Sequence, residues 1–185
     1  MYTAEFDYVR ASSIEEAISL KGGNEESSLL AGGHSLIPAM KLRLSTPQKL
    51  IDISGLDQLK NISNNGNYIS IGALSTHKKC AESDIIQTNC PALSDAASVI
   101  GDPHVRNKGT LGGALAHSDP QADYPGALLA LNATFVTKGP SGERTIEVDE
   151  YFTGLWETAL GEGDLLTEIR IPVNSMNANS CYVKF

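Results

Sequence analysis

The sequence predicts an α+β protein in which a small N-terminal α/β unit precedes a larger part built on a mostly antiparallel sheet. Two observations carry this prediction. Up to about residue 54, short apolar runs alternate with segments of helical spacing, the pattern of parallel strands joined by crossover helices. From Gly55 onward, turns rich in Asn and Gly separate short alternating strands, which is hairpin chemistry. At 185 residues the chain is long enough for one ordinary domain or for two small lobes sharing a ligand, since domains cluster at about 100 to 150 residues.

A short extended run around Phe6 and Tyr8 opens the first unit. Ser13-Ile14-Glu15-Glu16 has the spacing of a capping box, in which the Ser hydroxyl accepts from an orphan helix N–H while the Glu reaches back. Ile14, Ala17, Ile18 and Leu20 supply an apolar stripe, so a helix over 14–21 is expected. Ser28 to Ala31 forms a second strand that ends in Gly32-Gly33. Leu36, Ile37, Met40 and Leu44 then recur at helical spacing, with Pro38 in the first turn, where its missing N–H costs nothing. Lys49 to Ile53 is the next strand.

In the second unit, Asn64-Asn65-Gly66-Asn67 joins strands at 59–62 and 68–71, because Asn and Gly tolerate the positive φ of tight turns. Helices are expected over 77–81 and over 92–100, the latter opening on Pro91. Asp123 is expected to cap a helix running to Leu131. A hairpin of 133–138 and 143–148 turns at Gly139-Pro140-Ser141-Gly142, and a last strand with alternating Ile169, Ile171 and Val173 covers 165–173.

Hydrophobic residues make up 41% of the chain and charged residues 19%, the balance of a globular protein with a core. The formal net charge is -8, and no dense Lys or Arg cluster forms the basic stripe a nucleic-acid binder needs. No apolar run reaches the ~18 to 20 residues of a membrane span, and Met1-Tyr2-Thr3-Ala4-Glu5 has no secretory-signal pattern, so a cytoplasmic protein is expected. Cys80, Cys90 and Cys181 are odd in number and never spaced C-x-x-C, which argues for reduced thiols and against a disulfide framework, a zinc site or an iron-sulfur cluster held by this chain. His77, His104 and His117 show no ligand spacing and are expected on the surface or in loops.

The chemistry concentrates at two glycine pairs, Ala31-Gly32-Gly33-His34-Ser35 and Thr110-Leu111-Gly112-Gly113. A diphosphate needs donors that approach closely from several directions, and glycine removes the Cβ atoms that hold a backbone off. Each pair follows an apolar segment and precedes a helix-compatible one, so free N–H groups are expected to face the ligand, with hydroxyls from Ser35 and Thr110. An acidic chain is expected to hold an anion in this way, with main-chain donors in place of many cationic side chains. The P-loop pattern and G-x-G-x-x-G are both missing, which excludes those two nucleotide sites. Taken alone, either pair is a weak signal and reads first as a tight turn with no ligand.

The flanking residues make the pattern specific. At Ala31-Gly32-Gly33-His34-Ser35-Leu36-Ile37-Pro38 and at Thr110-Leu111-Gly112-Gly113-Ala114-Leu115-Ala116-His117-Ser118-Asp119-Pro120-Gln121-Ala122-Asp123, the chain resembles the FAD-binding medium subunit of molybdenum hydroxylases, a family that includes aerobic carbon monoxide dehydrogenases and the flavin domain of xanthine dehydrogenase. Phe6-Asp7-Tyr8, Gly72-Ala73 and Ile169-Arg170-Ile171-Pro172 extend the resemblance along the whole chain, and Gly112 to His117 leans toward the carbon monoxide dehydrogenase branch.

The resemblance implies the two-lobed fold of the vanillyl-alcohol oxidase / molybdenum hydroxylase flavoprotein type. One FAD-binding lobe spans 1–54 and a second 55–175, and 176–185 begins a C-terminal domain that is expected to be absent. It implies FAD as cofactor, with the two glycine loops (the second through Ala114) around the pyrophosphate and Leu30, Leu36 and Ile37 lining the cleft. Asp123 is implied at the adenosine end, and Leu166 and Lys184 at the flavin end. An oxidoreductase component is implied, within a hetero-oligomer holding an iron-sulfur small subunit and a molybdopterin large subunit. In it the flavin takes electrons from the clusters and passes them to an external acceptor, with no catalytic acid or base and no metal in this chain.

Two alternatives stay beside this reading: a free-standing oxidase with flavin attached at His34, and a redox-inactive interaction module. The segment 102–107 is expected to shape the flavin cleft, with Arg106 near the cofactor or a simple surface cation. Trp156 is expected in the core or an interface.

Overall fold

A computed structural model describes residues 1–22 and 26–185. Three parallel strands form the first sheet: β1 (Asp7–Arg10) and β2 (Ser27–Leu30) flank β3 (Lys49–Asp52). Parallel strands need crossovers, and these are α1 (Ile14–Lys21) and α2 (Leu36–Lys41). The first crossover starts where the sequence places it, because the Ser13 hydroxyl accepts the Glu16 N–H at 3.0 Å. Glu16 reaches back one residue further than a simple capping box, to the Ser12 N–H at 2.7 Å and the Ser12 hydroxyl at 2.5 Å. Gly22, at φ +38°, closes the helix in the left-handed conformation.

The second sheet has five strands in the order β4 (Ile62–Asn64), β5 (Tyr68–Gly72), β10 (Leu165–Pro172), β6 (Thr134–Gly139) and β7 (Gly142–Glu147), all antiparallel to their neighbours. The β4–β5 turn follows its sequence chemistry: the Asn65 side chain accepts the N–H groups of Asn67 and Tyr68, and Gly66 sits at φ +92°. Leu59 belongs to a 3-10 turn, Asp57–Leu59, so β4 begins later than periodicity suggests. A two-stranded hairpin, β8 (Phe152–Gly154) with β9 (Glu157–Thr158), stands apart from both sheets.

Helices pack against the larger sheet or against one another: α3 (His77–Glu82), α4 (Asp84–Asn89), α5 (Pro91–Ser98), α6 (Pro103–Lys108), α7 (Leu111–His117), α8 (Tyr124–Ala130), α9 (Val148–Tyr151) and α10 (Ser175–Ala178). Ile69 and Ile71 of β5, Phe135 of β6 and Ile169 and Ile171 of β10 are fully buried against Leu93, Leu115 and Leu128 of these helices. Burying each such side chain contributes about 1.5 to 3 kcal/mol. A second core under the small sheet gathers Ile14, Ala17, Ile51 and Ile53 with Leu74 and Leu165 from the larger unit. The two units therefore share buried side chains along the line where the glycine loops meet.

The sequence reading missed α4 and α6, which carry no buried apolar stripe of their own: α4 buries only Ile86 and α6 buries no residue. In α6, Asp102 supplies the start by accepting the N–H groups of His104 and Val105 at 2.7 and 2.9 Å.

Candidate functional site

Between the two units lies a cleft of about 600 Å³, a volume typical of sites that enclose a cofactor. Its lining includes Ala31, Gly32, Gly33, His34, Ser35 and Leu36 from the first glycine loop, and Thr110, Gly112, Gly113, Ala114 and Leu166 from the larger unit. Leu30, Ile37, Leu111, Asp123 and Lys184 stand outside that lining. Leu30 ends β2, and Leu111 is fully buried in the first turn of α7.

The two loops touch directly through glycine. A Cβ on Gly32 would collide with the Lys108 carbonyl oxygen and lie 2.8 Å from the Gly109 Cα, so only a bare Cα lets these backbones pass. Gly33 makes the turn itself at φ +73°. Among the described residues, no acceptor takes the main-chain N–H of Gly33, His34, Ser35 or Leu36. These consecutive donors form a concave set of the kind that binds anions.

The second loop is built differently from the sequence expectation. The glycine pair does not precede the helix; it forms the first turn of α7. Thr76 and Thr110 form an isolated antiparallel bridge that lowers this turn onto the end of β5. There Leu111 N–H donates to Ser75 O at 2.9 Å and Gly112 N–H to Ala73 O at 2.8 Å. Gly113 N–H donates to the Thr110 hydroxyl at 3.1 Å, and Ala114 N–H to Thr110 O at 3.0 Å. The donors expected to face a ligand are thus spent within the protein, and the Thr110 oxygen serves as a helix cap. Gly112 makes room for Ala73, whose Cβ would lie 2.5 Å from an added Cβ, while a Cβ on Gly113 would reach toward Ala31 at 3.7 Å.

Four histidines fall near this region or beside it. The His34 ring folds back on its own loop, Nδ1 lying 2.9 Å from the Gly32 carbonyl oxygen, which can only accept. His77 is buried, contrary to expectation, and its Nδ1 lies 2.8 Å from the Tyr124 hydroxyl. Burial, with His34 and Arg106 nearby, pulls the His77 pKa down to about 4. His117 lines the cleft and packs its ring against Trp156, centroids 4.7 Å apart. Trp156 is half exposed at the β8–β9 tip, not in the core. His104 lies on α6, which sends Val105 to the cleft. Arg106 turns inward to donate to the carbonyls of Ile100 and Gly101, and is neither a free surface cation nor a cleft residue.

Asp123 and Lys184 are not at opposite ends of anything. Lys184 Nζ lies 2.9 Å from an oxygen of Asp123, and the Tyr182 hydroxyl donates to the same carboxylate at 2.7 Å. Asp123 is buried and makes no side-chain cap for α8, because its oxygens are taken by these two partners. The last residues are thereby pinned beside α8, with Tyr182 N–H also donating to Asp95. Replacing Asp123 with Ala is expected to raise hydrogen exchange and proteolysis at 179–185 while costing only about 1 to 2 kcal/mol overall, since Lys184 is half exposed and its ion pair is screened. Unchanged exchange in that segment would show that the carboxylate does not hold it.

Sequence reasoning overlooked Gly109, Leu74, Leu165 and His77 in the lining. Gly109 stands directly before Thr110 and was legible as part of the same motif, whereas His77 gave no spacing signal. Among the described residues Asp119 and Asp164 are the carboxylates lining the cleft, and Asp164 forms an ion pair with Arg144 at 2.7 Å. Among the described residues no three His, Cys, Asp or Glu side chains converge as metal ligands, and no helix is long and apolar enough to cross a membrane. Cys80 and Cys90 are buried, which pushes both thiols up to about 12, and Cys181 is exposed.

A small parallel sheet and a larger antiparallel one, with paired glycines crossing in the cleft between them, are the architecture of a dinucleotide-binding flavoprotein. Residues 4–174 match the family described as the FAD binding domain in molybdopterin dehydrogenase, and the chain belongs to that family. It is 40% identical over 185 residues to the carbon monoxide dehydrogenase medium chain of Hydrogenophaga pseudoflava, covering all of this chain and 64% of that protein. It is 42% identical over 173 residues to the glyceraldehyde dehydrogenase medium chain of Sulfolobus acidocaldarius, covering 94% of this chain and 62% of that one. The solved structure of carbon monoxide dehydrogenase from Hydrogenophaga pseudoflava lacking the Mo-pyranopterin moiety superimposes with a TM-score of 0.92 at 42% identity, over 95% of this chain and 61% of that chain. The chain therefore spans less than two thirds of these relatives. Their names favour neither the free-standing oxidase nor the redox-inactive module.

Proposed function

We propose that this chain holds FAD in the cleft and acts as the electron-transferring flavoprotein component of a molybdenum hydroxylase. The observation that carries the reading is the run of unengaged main-chain donors from Gly33 to Leu36, set against the Lys108–Gly109 backbone by the bare Cα of Gly32. A diphosphate is the chemistry such donors suit, because its oxygens accept from several directions and need no cationic side chain.

In this reading the first loop supplies the donors and the second supplies shape: Thr110, Gly113 and Ala114 form a wall close to Ala31. Leu74, Leu165 and Leu166 keep water from the apolar side of the cleft. Once bound, FAD supplies one- and two-electron transfer, and the protein contributes position and environment. No side chain of the chain is needed as an acid or base. An iron-sulfur small subunit and a molybdopterin large subunit are the partners that deliver electrons, and an external acceptor removes them. A cytoplasmic setting accords with this assembly.

The purified chain is expected to take up FAD and show the visible absorption of oxidised flavin. Gly33→Val is expected to weaken FAD by at least about tenfold, because a β-branched residue at φ +73° is strained by roughly 1 to 3 kcal/mol and its Cβ would lie 2.7 Å from Ile37 Cδ1. A Gly33→Val protein that binds FAD like the parent would overturn this placement of the diphosphate.

A further inference from the structure

Behind the glycine loops lies an ordered stack of four groups. His77 opens α3, is almost fully buried, and reaches the cleft floor. Its Nδ1 pairs with Tyr124 OH at 2.8 Å. That phenol has no other hydrogen-bond partner among the described residues, so its proton points at His77: the hydroxyl donates, Nδ1 accepts, and the ring proton resides on Nε2. On its other side the ring faces Gly109, where an added Cβ would stand 2.5 Å from Nε2 and 2.8 Å from Cδ2. The His77 main-chain N–H donates to Gly109 O at 3.0 Å, and the neighbouring Thr76–Thr110 bridge ties the same two segments. Gly109 Cα in turn lies 2.8 Å from where a Gly32 Cβ would be. Tyr124, His77, Gly109 and Gly32 are therefore in successive contact, from the core of the larger unit to the first glycine loop.

We propose that His77 is a positioning residue of the FAD cleft: held from behind by Tyr124, its ring sets the height of Gly109 and hence the separation of the two glycine loops. The role rests on the reading of the cleft as the FAD site. It follows from packing, since interiors are close-packed and a backbone resting on a rigid ring moves when the ring is removed. The His34 ring, by contrast, pairs within its own loop, its Nδ1 lying 2.9 Å from Gly32 O.

The test is a size exchange, read by FAD titration, by the thermal midpoint of the FAD-free protein and by the shape of the bound flavin's visible band. His77→Ala and Gly109→Ala are each expected to weaken FAD by at least about tenfold, the first by letting Gly109 sink and the second by forcing it off the ring. In the double variant the new methyl occupies part of the space the ring vacates, and most of the lost affinity and the parental band shape are expected to return. His77→Gln, which keeps an N–H near Nε2, is expected to lose less than His77→Ala. A merely structural His77 would lower the thermal midpoint in every variant and give losses that add in the double. Additive losses, or parental affinity in His77→Ala, overturn the proposal. Should His77→Ala not fold, Gly109→Ala decides alone, and parental affinity there overturns it. A parent protein that ignores FAD overturns the cofactor reading itself, a result distinguishable from failure of the brace.

Discussion

Replacing Gly32 with Ala is expected to abolish useful FAD binding, weakening it by about a hundredfold or more, and to lower stability by about 2 to 3 kcal/mol. The added methyl would run into the Lys108 carbonyl oxygen, with the Lys108 carbonyl carbon and the Gly109 Cα both at 2.8 Å. All three atoms are backbone, so no side chain can swing aside and the loops themselves must part. Gly113→Ala is expected to be far milder. There the nearest atom is the Thr110 hydroxyl at 2.7 Å, a rotatable group whose loss as a helix cap costs about 1 kcal/mol. Gly126→Ala is the control, because its Cβ would meet nothing within 4 Å and alanine favours an exposed helix. FAD titration and urea unfolding of the three variants give the ranking. Equal losses at Gly32 and Gly113 would mean that contact between the loops does not govern the cleft.

A second large effect is expected in acid. Folded His77 stays neutral down to about pH 4, whereas in the unfolded chain it takes a proton near its ordinary value of 6.5. Between these limits the unfolded state binds more protons than the folded one, so stability is full above about pH 7 and falls as the pH drops toward 4. The difference between the two pKa values corresponds to roughly 3 kcal/mol. Burial is the main cause, and His34 from the first glycine loop and the Arg106 guanidinium from α6 act in the same direction; Tyr124 faces it from α8 as a neutral phenol. Denaturant unfolding at several pH values between 7.5 and 4.5 checks this by difference. His77→Gln is expected to be less stable than the parent at pH 7.5 and to converge on it toward pH 4.5. Parallel curves would show that His77 is not held neutral by the fold.

Local chemistry was readable along much of the chain. The 14–21 helix, the Asn-Gly hairpin and the turn at 139–142 are set by neighbours within four residues of one another, through a Ser oxygen on a helix N–H or Asn and Gly at strained turn angles. The glycine pairs and their flanks identified the family for the same reason, since a short motif keeps its pattern wherever the chain takes it. Short helices such as α4 and α6 escaped because neither carries a buried apolar stripe of its own: α4 buries only Ile86 and α6 buries no residue.

The amino-acid sequence on its own determined the fold class, the family and the two segments that meet in the cleft. Tertiary structure alone decided what each group in those segments does. It spent the amides of 111–114 on Ala73, Ser75 and Thr110, left those of 33–36 unengaged, joined Asp123 to Lys184, and buried His77 beneath Gly109. The physical reason is that a hydrogen-bonding group or a bare Cα is a local property, whereas its partner is chosen by what the packed chain brings within 3 Å, from tens of residues away.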